Sequence, residues 1–349
     1  MNASSTISFV AVGDLYIHRP DPTTAFHHFA SVIERADIAF GNLEGPCSDL
    51  GEPTIGKYIT IGMGPEVVPA LAEVGFDVVA LANNHAVDYG RTAFVDTLDR
   101  LAEAGIETIG GGRTLAEARE PAILARQGMR LGILSYASTI PWGYEATESQ
   151  AGIAPVHVRT LYEPRYQIMG EQPGTPATVI TEINQADLER IVEEVRDLKS
   201  RTDMAIVSFH WGVAFVPDPV GYQPELARAV IDAGADLVLG HHAHVIQGVE
   251  WYRGVPIFYS LSNFVFDRHN PRFGLETFLV VAHFDQSGLK RVSLRPAILP
   301  LEGDPRPVSR EEGALFMERM ARLSCGMNSR FRWDGEEIEV LGSEEGEHE

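Results

Sequence analysis

The sequence predicts an α/β fold built on a mostly parallel sheet. Short apolar runs alternate with helical segments through the first half of the 349-residue chain, the order that gives parallel strands joined by crossover helices. Apolar residues make up 44% of the chain, enough for a sizeable buried core. Several of the apolar runs end in Asp, Asn, Glu or His, and loops beyond the carboxyl ends of parallel strands converge on one crevice.

Taken in order, Ile7 to Val12 is an apolar strand ending in Gly13-Asp14. Thr24 to Arg35 has helical spacing, with Phe26, Phe29, Val32 and Ile33 on one face. Ile38 to Phe40 is a second strand, ending in Gly41-Asn42-Leu43-Glu44-Gly45-Pro46. A Gly/Pro-punctuated loop leads to a helix from Pro65 to Val74, with proline at its favoured first position. Phe76 to Ala82 is a third strand, ending in Asn83-Asn84-His85. Arg91 to Ala104 is helical and stops at Gly105; Ile106 to Ile109 is a strand. Ala122 to Arg126 and Arg130 to Tyr136 flank Gln127-Gly128-Met129 as a hairpin.

From Ala137 to about Thr181 both periodicities fail, and the segment carries Trp142, Tyr144, Tyr162 and Tyr166. So long an irregular stretch inside a compact domain is read as an insertion covering the site as a mobile lid. Gln185 to Lys199 is an amphipathic helix, and Met204 to Phe209 a strand ending in His210-Trp211-Gly212. The helix from Pro224 to Ala233 precedes a buried strand, Ala235 to Leu239, which opens into Gly240-His241-His242-Ala243-His244. In an extended segment His242 and His244 would face the same side. Val245 to Trp251 and Val255 to Tyr259 form a second hairpin, followed by strands at Glu276 to Phe284 and Lys290 to Pro296, and a helix from Ser309 to Leu323. With no repeat and no linker, residues 1–334 read as one domain. The acidic tail, 335–349, reads as disordered.

The net charge of −21 argues against a nucleic-acid surface, which needs Lys and Arg to neutralise phosphates, and against anionic membranes. It suits neutral or cationic substrates, although bound metal inverts the local sign. Cys47 and Cys325 are too few for a disulfide framework. The N-terminus has no basic region before an apolar core, and no run approaches the roughly 20 apolar residues of a spanning helix. A soluble, cytoplasmic protein with no membrane anchor is the expectation; oligomeric state is left open.

Any one of the polar strand ends has an ordinary explanation, such as a helix cap at Asp14 or a turn at Asn83-Asn84. The ordered set of five, at Asp14, Asn42 or Glu44, Asn84-His85, His210 and His242-His244, points to metal or acid–base chemistry.

The chain resembles the calcineurin-like metallophosphoesterases, and more closely the poly-γ-glutamate capsule-synthesis (CapA) family. The matching stretches are Gly13-Asp14, Asn42 to Pro46, Ala82 to Gly90, His210-Trp211-Gly212, Gly234 to Gln247 and Tyr259 to Asp267. The resemblance implies a four-layer α/β/β/α sandwich with a metal crevice at its top. Departures accompany it. Tyr16 stands where the broader group has His, Asn42 and Glu44 where it has Asp. Ala214 replaces the capsule family's common Glu, and Ser262 its common Gly.

A site of Asp14, Glu44, Asn84, His210, His242 and His244 mixes hard oxygen with borderline nitrogen donors. That suits Mn²⁺, Zn²⁺ or Fe²⁺, with Ca²⁺ or Mg²⁺ admitted where oxygens and waters dominate. His85 resembles the general-acid position of the broader group, and Asp88 is placed to orient its imidazole. Asp267 is a second carboxylate at a motif end, and His210 is an alternative base. Three functions follow as expectations. The first is a metal-dependent hydrolase of a phosphoester, or of a peptide or γ-glutamyl amide. The second is an epimerase of the lasso-peptide type, acting at a peptide Cα. The third is a non-catalytic capsule component. The substrate is a small molecule or peptide.

Overall fold

The computed structural model describes residues 6–268, 274–301 and 304–342. Two sheets face one another. The first runs, in spatial order, Ser329–Asp334, Glu337–Gly342, Gly288–Ile298, Glu276–Asp285, Ile7–Tyr16, Ile38–Leu43, Val78–Ala80 and Glu107–Ile109. The second runs Val249–Tyr252, Val255–Phe258, Leu237–His241, Met204–His210, Met129–Ala137 and Ala122–Arg126. Strands from Ile7 to Ile109 in the first sheet pair in parallel, as do the central strands of the second.

Side-chain alternation builds the layers. Phe9, Ala11, Phe40 and Phe278 point between the sheets, where they meet Ile133, Ile206, Leu239 and Phe258. Val10, Val12, Ala39 and Val79 point the other way, against the helices Val67–Val74 and Gly90–Glu103. On the far face, Leu134, Val207 and Val238 pack on Gln185–Arg201 and Tyr222–Asp232. The result is a calcineurin-like α/β/β/α sandwich. Truncating a fully buried leucine between the sheets, such as Leu239, would cost about 2–5 kcal/mol.

Several elements depart from the sequence reading. The helix expected over Thr24 to Arg35 is split into a 3₁₀ turn, Pro22–Phe26, and a short helix, Ala30–Glu34. Phe26 and Phe29 are both fully buried, and both rings meet Phe264, at 6.4 and 5.5 Å. Phe29 lies beyond the 3₁₀ turn, at the cap of the short helix, so the break between the two pieces is what lets both rings reach Phe264. The third strand is only Val78–Ala80.

The segment after Ala137 holds regular structure. Gly152–Ile153 pairs with Gly111–Gly112, and Tyr144, Ala154 and Val156 are buried. Val158–Glu163 and Thr178–Ile183 form an antiparallel ribbon. Most of its side chains are exposed, so it lacks the apolar alternation by which a half-buried strand is recognised.

The acidic tail is corrected in the same way. Glu337–Gly342 is a strand with Ile338 and Val340 buried, while Glu337 and Glu339 pair with Arg291 and Arg332. Acidic composition hid a period of two. Residues 343–349 lie outside the described residues. No helix among the described residues is long and apolar enough to cross a membrane.

Candidate metal centre

The polar strand ends meet where the two sheets' parallel strands terminate. Register brings them level: Asp14 lies opposite Asn42 on one side and Asn263 on the other, and His210 lies opposite His241. Close backbone approach makes this junction possible. The Asp14 amide donates to the Ser262 carbonyl at 3.0 Å, and a Cβ on Gly13 would strike that same oxygen. Only glycine fits there.

Asp14, Glu44 and His244 are all buried, and each offers one ligand atom within 4.8 Å of the others. Asp14 Oδ1 accepts from Asn42 Nδ2 at 2.8 Å and stands 3.3 Å from His241 Nδ1. Burial pushes the Asp14 pKa up, but contact with His241 and the neighbouring His210 and His244 outweigh it and hold it below the usual carboxylate range. Glu44 goes the opposite way. Burial and the adjacent Asp14 charge raise its pKa well above normal. Both Glu44 oxygens are buried and neither receives a hydrogen bond. His244 Nδ1 lies 2.8 Å from Asn263 Oδ1, which leaves Nε2 directed at Glu44 Oε1, 3.8 Å away.

A second donor set adjoins the first. His210 Nε2 is 2.7 Å from Asn84 Oδ1 and 3.2 Å from His242 Nδ1. Burial, with the neighbouring His244, takes the His242 pKa down to about 3; burial and His242 lower that of His210 well below its ordinary value. Both imidazoles are held neutral, the form that binds metal. The residues present therefore fit a divalent ion: oxygen and neutral nitrogen donors converge, and a buried carboxylate lacks any donor.

The histidine loop reaches this arrangement by a route that the sequence did not suggest. His242 and His244 are not in an extended segment. Their φ angles are +89° and +55°, a left-handed conformation that non-glycine residues adopt sparingly and that clusters at functional sites. The backbone turns after His241, and the two rings still converge, with centroids 5.8 Å apart.

His85 sits at the edge of the cluster. Its Nδ1 is 2.6 Å from Asp88 Oδ2, and its Nε2 is 3.8 Å from Glu44 Oε1. Burial lowers the His85 pKa; Asp88 opposes this and the Lys57 charge adds to it. Asp88 Oδ2 also accepts from the Ile61 amide at 2.8 Å, and Oδ1 accepts from the Tyr144 hydroxyl at 2.8 Å and from Lys57 Nζ.

Asp267 is not brought to the cluster. Its carboxylate is bound by the Arg19 guanidinium and by the His18 amide at 2.8 Å, so it ties down the chain after the first strand. Its motif-end position did not reveal that Arg19 would claim it. Three residues of the site were not singled out from the sequence, His241, Asn263 and Lys57, and Tyr144 was named only as an aromatic of the segment read as covering the site. His241 lay in the same histidine run and was lost to the assumed alternation. Asn263 stood inside a matching stretch. Lys57 is one of only three lysines, with Lys199 and Lys290, among 28 basic residues. That rarity was the available signal.

The fold is a calcineurin-like sandwich, and His, Asp, Glu and Asn converge at its strand ends as a candidate metal site. The chain belongs to the bacterial capsule synthesis protein PGA_cap family, whose model matches residues 8–268. It is 29% identical over 314 residues to the PGA biosynthesis protein CapA of Bacillus subtilis, covering 89% of this chain and 73% of that one. It is 29% identical over 296 residues to the capsule biosynthesis protein CapA of Bacillus anthracis, covering 84% and 65%. Among solved structures, a hypothetical protein from Thermus thermophilus aligns with a TM-score of 0.47 at 14% identity, over 84% of this chain and 100% of that one.

Proposed function

We propose that this protein is a divalent-metal-dependent hydrolase acting on a phosphoester or on a γ-glutamyl or peptide amide. The observation that carries this reading is Glu44. Buried beside Asp14 with no donor, the Glu44 carboxyl stays protonated unless a cation faces it, and both of its oxygens are left open to such an ion. The chemistry a divalent ion supplies when bound is Lewis acidity and an acidified water.

The chain's own groups supply the rest. Asp14, Glu44 and His244 form one donor set, and Asn84, His210 and His242 the other. Asn263 fixes the His244 ring through Nδ1, so that Nε2 is the nitrogen turned towards Glu44. The Asp88 carboxylate can only accept, so His85 carries its proton on Nδ1 and presents a bare Nε2 towards Glu44. That nitrogen takes up a proton during attack and returns it to the leaving group. Phe215 and Phe266 flank the His244 ring and keep that side of the crevice apolar.

Turnover of bis-p-nitrophenyl phosphate and of γ-glutamyl-p-nitroanilide by protein loaded with Mn²⁺ or Zn²⁺ tests the reading. One of the two should be cleaved, and chelation should stop it. Loaded protein that is inert towards both and towards a peptide panel would sink it. The bare Nε2 also favours a second reading, proton abstraction at a peptide Cα. Deuterium entering Cα in D₂O without cleavage would select it.

A further inference from the structure

We infer that Lys57 is a positioning residue that fixes the orientation and tautomer of His85 through Asp88. This rests on the reading of His85 as the proton-transfer group. Lys57 comes from the loop between the second strand and the helix Val67–Val74, far from His85 in sequence. Its Nζ donates to the Asn84 carbonyl and to Asp88 Oδ1, and lies 3.1 Å from His85 Nδ1. The Tyr144 ring covers it, with Nζ 5.0 Å from the centroid. One ammonium therefore binds both ends of the turn that carries His85.

The geometry places Lys57 behind the imidazole. It touches the Nδ1 edge, whereas the Nε2 edge faces Glu44 and the donor set. Lys57 is thus not placed to meet a reacting atom. What it can do is decide how Asp88 is held. The Asp88 carboxylate takes His85 Nδ1–H and the Ile61 amide on one oxygen, and Lys57 and the Tyr144 hydroxyl on the other. Each oxygen then has two donors, and the only proton Nδ1–H can donate is aimed at Oδ2. Without Lys57 the outer oxygen loses its charged donor, the carboxylate is free to turn, and the ring can flip or exchange tautomers.

Residue type supports this assignment. The chain uses lysine at only three positions, yet a lysine stands here. A compact ammonium can donate to a carbonyl and a carboxylate from one point, here Asn84 and Asp88, while standing beside a protonated Nδ1 to which it does not donate. A planar guanidinium spreads its donors over a fixed fork. Side-chain burial of Lys57 and Asp88, 14% and 0% exposed, removes water as a substitute donor.

The test uses the full chain, ¹⁵N-labelled at histidine and loaded with Zn²⁺. Long-range ¹H–¹⁵N correlation reads the tautomer of each ring, and loss of one spin system in His85→Gln identifies His85. The wild type should show a single tautomer with the proton on Nδ1. Lys57→Met should show averaging between tautomers, at unchanged zinc content. Where one of the chromogenic substrates is turned over, Lys57→Met should lower kcat about 10-fold or more with KM within about twofold, and methylamine should restore part of kcat to Lys57→Ala. If Lys57→Met does not fold, Lys57→Gln, which also removes the charge, is read the same way.

A variant that keeps the single wild-type tautomer overturns the inference, whatever its thermal stability. A changed tautomer in a protein whose wild type cleaves nothing supports the Lys57 assignment while removing the hydrolase reading.

Discussion

Glu44 Oε1 lies 3.8 Å from His244 Nε2. That is too far for a hydrogen bond and short enough for one ion between them, since each ligand atom would sit roughly 2.0–2.2 Å from a metal such as zinc. The two side chains reach this spacing from different sheets: Glu44 follows the strand Ile38–Leu43, and His244 follows Leu237–His241. A metal there would cross-link the top of the sandwich.

Removing His242 and His244 together should therefore empty the site. His242→Ala/His244→Ala should bind less than about a tenth of the wild-type metal by elemental analysis, while circular dichroism stays native, because both residues lie in a loop beyond the strand. A full complement of metal in the double variant would place the site elsewhere.

His85 should separate from the ligands in the same assay. It contacts Asp88 and faces Glu44, so His85→Gln should keep its metal and lose on the order of 10²-fold or more in turnover. Equal turnover, with an unchanged pH profile, would transfer the role to His210.

A pH effect is expected away from the centre. His157 Nδ1 lies 2.6 Å from Asp187 Oδ2 and its Nε2 3.3 Å from Glu145, joining the start of the exposed ribbon to the helix Gln185–Arg201. Burial works against its charge, but Asp187 and Glu145 prevail and raise its pKa above 6.5. A folded-state value above the unfolded one stabilises fully below the unfolded pKa and is lost as pH rises through the folded value. Amide protection over residues 158–183, corrected for intrinsic exchange, should hold below the ordinary histidine pKa and fall as pH rises through the raised folded value. His157→Gln should flatten that fall; an identical slope in the variant would remove His157 as its cause.

Much of the layer order was legible because it rests on local periodicity. The run Ile7 to Val12 and the alternation of Val10 and Val12 with Phe9 and Ala11 already describe a strand covered on both faces. The ligand types were legible for the same reason, since they stand at the ends of such runs. What was not legible depends on tertiary partners. Nothing local says that Arg19 takes Asp267, that Lys57 crosses to Asp88, or that the backbone turns left-handed at His242. The ribbon at 158–183 and the strand Glu337–Gly342 were missed because exposed or acidic side chains blur the period of two that marks a strand.

The central claim is that this chain holds a divalent ion between its two sheets, with Glu44 as a ligand. Anomalous diffraction from crystals of the full chain grown with Mn²⁺, recorded on both sides of the manganese edge, tests it most directly. The account predicts a manganese peak within bonding distance of Glu44 and His244, and its loss in Glu44→Gln. Difference maps with no manganese peak at the cluster, or one that survives Glu44→Gln at full height, would contradict it.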